Sequence, residues 1–147
     1  MSFFRYTLRW AVLIGFTYWS FRKLLKKWHI ANAKEITQTA SKKFASKCFD
    51  QAIHDFSAAI SITEGICHKT TADLYYNKSL CYFMKTHYFK ALLEVTEAVD
   101  HNSNHVEAWL LMAKCQLYVG NISHLNLILE KIKNLIANDL SINLELY

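Results

Sequence analysis

The sequence predicts an all-α protein, a solenoid of about three stacked helical hairpins that follows an N-terminal membrane-anchor helix. Three observations predict this architecture. Two similar segments lie 34 residues apart, the chain has no proline and three glycines, and residues 1–34 hold a concentrated basic charge. Because so few residues break helices, helix is favoured along the whole chain. A period near 34 residues is typical of repeated helical hairpins.

The first element is the basic N-terminal segment. Residues 1–34 carry seven Lys or Arg and no Asp or Glu, whereas the remainder carries ten basic and twelve acidic residues. An apolar helix over residues 3–21 would be about 28 Å long, close to the ~30 Å of a hydrocarbon core. We therefore expect a signal anchor and basic juxtamembrane helix over residues 1–31, or alternatively an interfacial helix. The expected membrane-contacting residues are Trp10, Phe16, Trp19, Phe21, Arg22 and Lys23.

The charges on the two sides of this segment predict its orientation. Two arginines precede it, and four basic residues follow it directly, so the positive-inside rule leaves the carboxyl side in the cytosol. Apolar residues then recur at helical spacing against those cations, which indicates contact with anionic lipid headgroups. These apolar residues are Phe21, Leu24, Leu25 and Trp28. Nucleic acid is not an expected partner because the rest of the chain has no basic surplus.

The repeats occupy residues 33–134. Residues Tyr75, Ser79, Tyr82 and Tyr88 recur 34 positions later as Trp109, Ala113, Gln116 and Ile122. This is the period of the tetratricopeptide repeat, a helix pair that must stack on its neighbours to bury its apolar face. The second repeat is predicted to have helices over 71–85 and 88–101.

The outer repeats are weaker in sequence. The first is predicted to begin near Ala33, and its second helix follows Phe49 and is ended by Gly65 in a longer inter-repeat loop. The first helix of the third repeat is predicted to stop at Gly120. Residues 135–147 are too short for another repeat, so we expect a C-terminal capping segment or, alternatively, a partner-binding tail.

The chemistry-bearing residues do not predict an enzyme. The four cysteines lack a C-x-x-C spacing and are expected to be reduced thiols. His101 and His105 have i, i+4 spacing but no obvious third ligand, so neither a metal nor a cofactor is expected. Three glycines are too few for a phosphate-binding loop, and no nucleophile motif is present.

The order of these segments is an N-terminal anchor, a basic juxtamembrane stretch and then tetratricopeptide repeats. In this order the chain resembles the large import receptor of the mitochondrial outer membrane, in a shortened form. The resemblance implies a location in the outer membrane of mitochondria or a mitochondrion-derived organelle, with the repeats facing the cytosol. It also implies a groove that binds precursor proteins, their carriers or a translocase subunit. The alternative is a membrane-tethered adaptor or assembly scaffold that binds a resident protein.

The same resemblance implies a clamp for the acidic C-terminal tail of a chaperone. Its positions fall on Thr37, Ser41, Asn77, Glu107 and Leu111. Only Asn77 keeps the residue type of the clamp, and an amide on a helix face also serves to bind a neighbouring repeat. Both cations of the third repeat are missing, and Glu107 would repel a carboxylate, which argues against chaperone docking. A shifted alignment of the first repeat would bring in Lys42 or Lys43 instead.

Several aromatic side chains lie off the packing positions of the repeats, namely Tyr76, Phe83 and Phe89. Aromatic residues of this kind can line a groove for an apolar helical ligand. A basic, amphipathic targeting helix would suit the groove, with its apolar side buried and its cations near Glu94, Glu97 or Glu107. The sequence therefore favours a binding protein.

Overall fold

The computed structural model describes the backbone of residues 2–144 and the side chains of residues 17–138. The described part of the chain contains six α-helices in one run. They are α1 (Ser2–Ala45), α2 (Phe49–Thr63), α3 (His68–Met84), α4 (Tyr88–His101), α5 (Val106–Val119) and α6 (Leu125–Leu144).

The helices pair in chain order as three antiparallel hairpins, α1 with α2, α3 with α4, and α5 with α6. Each hairpin packs on the next through α2 with α3 and α4 with α5, and α3 also contacts α5. The helices of the middle hairpin begin and end within about three residues of the predicted bounds. The first helices of the second and third hairpins are therefore neighbours on one face of the stack.

Helix α1 is a single helix of 44 residues. The predicted boundary between an anchor segment (1–31) and the first repeat does not interrupt it. Burial begins at Ala33, and Ala33 and Ala40 are both buried against α2. The side chains of residues 17–28 before this point are all exposed. We call residues 17–32 the arm.

Small side chains allow the helices to approach closely along the stack. The alanines at 52, 59, 91 and 98 are fully buried, at the packing positions that the repeat pattern predicts. Phe56 and Leu74 fill one apolar cluster between α1, α2 and α3, and Val95 lies in a second cluster between α3, α4, α5 and α6. Tyr75 packs against both clusters, so apolar packing extends along the stack, as expected for repeats that bury their apolar faces on each other.

The turn inside each hairpin has the same backbone conformation. Lys47, Thr86 and Gly120 have φ angles of 60°, 61° and 80°, in the left-handed region. In each turn the N–H of this residue donates to the carbonyl three residues earlier, at 2.9, 2.9 and 3.2 Å. The next N–H donates to the carbonyl four residues before the left-handed one, which is the Schellman arrangement that ends a helix.

The loop between the first two hairpins is held by threonines. Helix α2 ends at Thr63, and Gly65 follows with a φ of 71°. The buried Thr71 hydroxyl donates to the Thr63 hydroxyl at 3.0 Å, and so ties the start of α3 to the end of α2. This hydrogen bond satisfies two polar groups that would otherwise be costly to bury.

The predicted capping segment continues the last helix. Helix α6 runs without interruption from Leu125 to Leu144, and Ile128, Ile132 and Leu135 are buried. Residues 145–147 lie outside the described part of the chain.

Candidate functional site: a groove on the first helices of the repeats

An acidic cluster lies between the N-terminal halves of α3 and α5. The imidazole Nε2 of His105 is 3.3 Å from a carboxylate oxygen of Asp73, and its Nδ1 is 3.1 Å from a carboxylate oxygen of Glu107. The ring of Tyr76 lies 5.0 Å from the His105 ring, measured between centroids. Residues from two repeats therefore converge at this end of the helix face.

His105 is held in place because it caps α5. Its Nδ1 accepts a hydrogen bond from the Ala108 N–H at 3.3 Å. A neutral ring that accepts there carries its proton on Nε2 and donates it to Asp73. In that state the Glu107 carboxylate faces the lone pair of Nδ1 and accepts no hydrogen bond from the ring. The Glu107 carboxylate is then available to a cation from outside the chain.

The cluster is open to solvent and negatively charged. The side chains of Asp73 and Glu107 are 52% and 67% exposed, and that of His105 is 10% exposed. Burial, and then the charge of Glu107, raise the pKa of the Tyr76 phenol. The phenol therefore stays neutral at physiological pH and can donate a hydrogen bond. This end of the groove favours a cationic ligand group.

Apolar side chains extend from the acidic cluster along both helices. Leu110 and Leu117 on α5 are 43% and 54% exposed, and their spacing places them on the same face as Glu107. On α3, Tyr76, Leu80 and Phe83 have the same kind of spacing and are half-buried. The groove thus has apolar side chains along both helices and carboxylates at one end, and the exposed Lys114 lies between Leu110 and Leu117 on the same face of α5.

The structure distributes the predicted groove residues unevenly. Glu107 lies in the acidic cluster, and Asn77 is half-buried on α3, one helical turn after Asp73. On α1 the hydroxyl of Thr37 donates to the Ala33 carbonyl at 2.7 Å, and that of Ser41 to the Thr37 carbonyl at 2.9 Å.

Leu111 is only 4% exposed and packs in the core cluster of α4, α5 and α6. It therefore offers almost no surface to a ligand, and Leu110 beside it provides the exposed apolar group.

The sequence does not predict the contact between Asp73 and His105, two residues of the candidate site. Each residue has a local feature that places it near the groove. Asp73 lies one helical turn before Asn77, and His105 directly precedes α5. Their contact joins two repeats, and no pattern within one repeat predicts it.

The arm carries the predicted membrane-contacting residues that the structure describes. Trp19 and Phe21 are exposed, Lys23 Nζ lies 5.1 Å from the Trp19 ring, and the Arg22 guanidinium lies 5.9 Å from the ring of Tyr18. The side chains of residues 10 and 16, predicted as part of the anchor, lie outside the described ones.

Among the described residues, no helix combines the length and the apolar character needed to cross a membrane.

The two histidines considered as a metal pair contact different partners. His105 contacts Asp73 and Glu107, whereas the Nδ1 of His101 is 3.2 Å from the Nδ1 of His68. Over the described residues, no group of three or more His, Cys, Asp or Glu side chains is placed to hold a metal ion.

No family model matches the chain, and no curated protein matches its sequence. Solved structures of repeat domains do resemble it. The second TPR of Spaghetti (RPAP3), bound to an HSP90 peptide of sequence SRMEEVD, has a TM-score of 0.62 at 17% identity and matches 70% of this chain and 91% of its own.

Two further structures resemble the chain to a similar degree. The TPR2B domain of yeast Sti1 in a complex with pHsp70 gives a TM-score of 0.65 at 17% identity, over 72% of this chain and 81% of its own. The TPR domain of Arabidopsis FLU gives a TM-score of 0.60 at 13% identity, over 79% of this chain and 98% of its own. The chain has the tetratricopeptide-repeat fold. The predicted all-α solenoid is confirmed, and at these identities the likeness concerns the fold.

Proposed function

We propose that this protein is a membrane-attached receptor that binds basic, amphipathic helical segments of precursor proteins, or of their carriers, for import into mitochondria or a related organelle. The observation that carries the proposal is the groove on α3 and α5, which has apolar side chains along both helices and two exposed carboxylates at one end. The outer membrane, with the repeats in the cytosol, is the proposed location.

The groove matches such a ligand in both of its parts. Burying the exposed halves of Leu110 and Leu117 would contribute roughly 1 kcal/mol each. A Lys or Arg of the ligand at Asp73 and Glu107 would form exposed ion pairs, which are worth about 0–1 kcal/mol each. We therefore expect binding that is weak, reversible and sensitive to salt, as a receptor that hands its cargo on requires.

The charge of the groove separates this chain from a binder of acidic tails. The peptide in the Spaghetti structure, SRMEEVD, ends in acidic residues and a carboxylate. A carboxylate ligand needs cations, and the corresponding positions here carry hydroxyls that bond their own helix, an exposed glutamate and a buried leucine. The preferred ligand charge is therefore reversed, from acidic to basic.

The arm supports the proposed attachment to a membrane. Most of its exposed apolar side chains lie on one side of α1, whereas Trp19 and Ile30 lie on the other side, among the basic ones. Each Lys or Arg near an anionic lipid surface contributes about 1 kcal/mol, and the aromatic rings suit the headgroup level. Attachment would hold the repeats close to the membrane that receives the cargo.

The groove is tested by fluorescence anisotropy on the full chain in detergent micelles. The probe is a labelled basic amphipathic peptide, compared with a scrambled peptide of the same composition and with SRMEEVD. We expect preference for the amphipathic peptide, and Glu107→Lys should weaken its binding about fivefold to tenfold. Glu130→Lys is the matched control, because Glu130 is an exposed residue of α6. Equal binding of scrambled and amphipathic peptides would refute the proposed ligand class.

The location is tested by protease treatment of intact organelles. The full chain should be on mitochondria or a related organelle with its repeats digested from outside, and a chain that lacks residues 1–31 should be soluble. A protected protein, or one in the endoplasmic reticulum, would exclude import at the outer membrane. If a resident translocase subunit is retained when excess targeting peptide is added, the chain is an adaptor rather than a cargo receptor.

A further inference from the structure

Two histidines meet at the open end of the second hairpin. His68 is the first residue of α3 and His101 is the last residue of α4. Their Nδ1 atoms are 3.2 Å apart, and the ring centroids are separated by 5.5 Å with 34° between the planes. Tyr75 also stacks on His101, with ring centroids 5.5 Å apart and 15° between the planes. The stacking fixes the orientation of the His101 ring.

We propose that His68 and His101 bind a divalent transition-metal ion such as Zn²⁺, Ni²⁺ or Cu²⁺ between their Nδ1 atoms. Imidazole nitrogens bind these ions at about 2.0–2.1 Å, so two of them at a tetrahedral angle lie about 3.3 Å apart. The observed separation of 3.2 Å is close to that value. Small ring movements would bring both lone pairs onto one ion.

The alternative for this pair is a single hydrogen bond between two neutral rings. That arrangement requires the proton on Nδ1 of one ring and on Nε2 of the other. A metal ion instead uses the lone pairs of both Nδ1 atoms and leaves both Nε2–H groups to donate elsewhere. The metal-bound state therefore needs one tautomer, which is the same in both rings.

Charges of both signs lie around the pair, and the Nζ of Lys78 is 6.0 Å from the centre of the Tyr75 ring. Burial, and then the charges of Glu64, Glu97 and Glu94, raise the pKa of Tyr75, the residue that stacks on His101. Of these carboxylates, Glu94 is paired with Lys78 at 2.9 Å. Lys69 follows His68 in the chain, so a lysine is also near.

The site has two protein ligands, because the described residues contain no third metal-binding side chain placed beside them. Water, or a group of another molecule, would complete the coordination. Two-ligand binding is weaker than a four-ligand structural zinc site, so we expect a dissociation constant on the order of 10 μM for Zn²⁺. Cu²⁺ should bind more tightly, and Mg²⁺ should not bind, because it prefers oxygen ligands.

A bound ion would act as a clip on the second hairpin, joining the start of α3 to the end of α4. The loop Asn102–Asn104 leads from His101 directly to His105, the residue that holds the acidic cluster of the groove. The clip therefore fixes one end of the loop whose other end positions Asp73 and Glu107. The site does not depend on the proposed peptide ligand.

The test is isothermal titration of the full chain, purified in detergent micelles without chelators, with ZnCl₂ and with MgCl₂ as comparison. We expect one Zn²⁺ per chain and no Mg²⁺ binding. His68→Ala and His101→Ala should each weaken Zn²⁺ binding at least tenfold, whereas His124→Ala, at an exposed histidine after α5, should leave it unchanged. His68→Gln is the second variant, because it keeps a hydrogen-bonding side chain beside His101 without a second imidazole.

Thermal unfolding gives an independent readout. At 100 times the dissociation constant, Zn²⁺ should raise the unfolding midpoint of the parent chain by about 5 °C or more, and of the His68→Gln variant by much less. Equal midpoints of parent and variant without metal would show that both are folded. No saturable Zn²⁺ binding below about 1 mM, or binding equal in parent and both alanine variants, would overturn the proposal.

Discussion

Replacing Thr86 with glycine should stabilise the protein by about 1 kcal/mol. Thr86 has a φ of 61° in the turn between α3 and α4, a conformation that β-branched residues rarely adopt. An L-residue in this region costs about 1–2 kcal/mol, with a β-branched one at the upper end, and glycine avoids that cost. Against this, glycine loses about 0.5–1 kcal/mol more backbone entropy on folding.

The assay is urea unfolding followed by circular dichroism at about 222 nm, a wavelength that reports helix. The midpoint should rise with an unchanged slope, and the melting temperature should rise by about 4 °C. The matched control is Thr96→Gly, at an exposed position inside α4, where the same substitution should destabilise by roughly 0.3–0.5 kcal/mol.

The reverse substitution is a third test of the cost of the left-handed conformation. Gly120→Thr places a β-branched residue at the equivalent turn of the third hairpin, where φ is 80°. No atom lies within 4 Å of a Cβ added at Gly120, so the cost is that of the backbone conformation, about 1–2 kcal/mol. If Thr86→Gly destabilised the protein as much as Thr96→Gly does, the reasoning about left-handed strain would be refuted.

Three further predictions concern the core. Leu74 is 1% exposed, so Leu74→Ala should lower the free energy of unfolding by about 2–5 kcal/mol in the same urea assay. A loss below about 1 kcal/mol would contradict the packing role of Leu74. Within the described side chains, the buried Gln116 Oε1 has no hydrogen-bond partner, so Gln116→Met should stabilise by about 1 kcal/mol, measured as a rise in the urea midpoint. Burial raises the pKa of the Cys81 and Cys115 thiols to about 11 from the ordinary 9.0. The folded state then keeps protons that the unfolded state loses, so stability should fall as the pH rises from 9.0 towards 11. A double alanine variant should have a smaller slope, which comes from Tyr75 and Tyr76, whose pKa values burial also raises.

The repeat architecture could be predicted because its signals are local. The motif positions from Tyr75 to Tyr88 and from Trp109 to Ile122 define the two best hairpins, and each helix boundary there depends on a few neighbouring residues. The turn at Gly120 is marked by its glycine, whereas Lys47 and Thr86 adopt the same conformation without any such mark. Burial of the adjacent helices holds these two residues in an unfavourable backbone region, which sequence preference alone does not predict.

The groove was less predictable because it depends on contacts between repeats. Alignment to a clamp placed Leu111 at a ligand position, yet the apolar side chain is buried between α4, α5 and α6, and Leu110 provides the exposed surface instead. The contact of His105 with Asp73 joins residues that are far apart in the chain. A repeat pattern predicts which helices stack, and the side chains that meet across the stack are determined only by the packing itself.

Because α1 is continuous, the arm has a fixed orientation relative to the repeat that α1 forms with α2. From residue 17 to its end this helix contains no proline or glycine, the usual causes of a kink. Its exposed apolar side, formed by Phe21, Leu24 and Trp28, lies roughly 120° around the axis from the side on which Ala33 and Ala40 pack against α2. If the arm lies with its apolar side on a lipid surface, as we propose, α2 is on the side turned away from that surface. The hairpins stacked on α2 would then stand clear of the lipid, where a ligand in the cytosol can reach the groove.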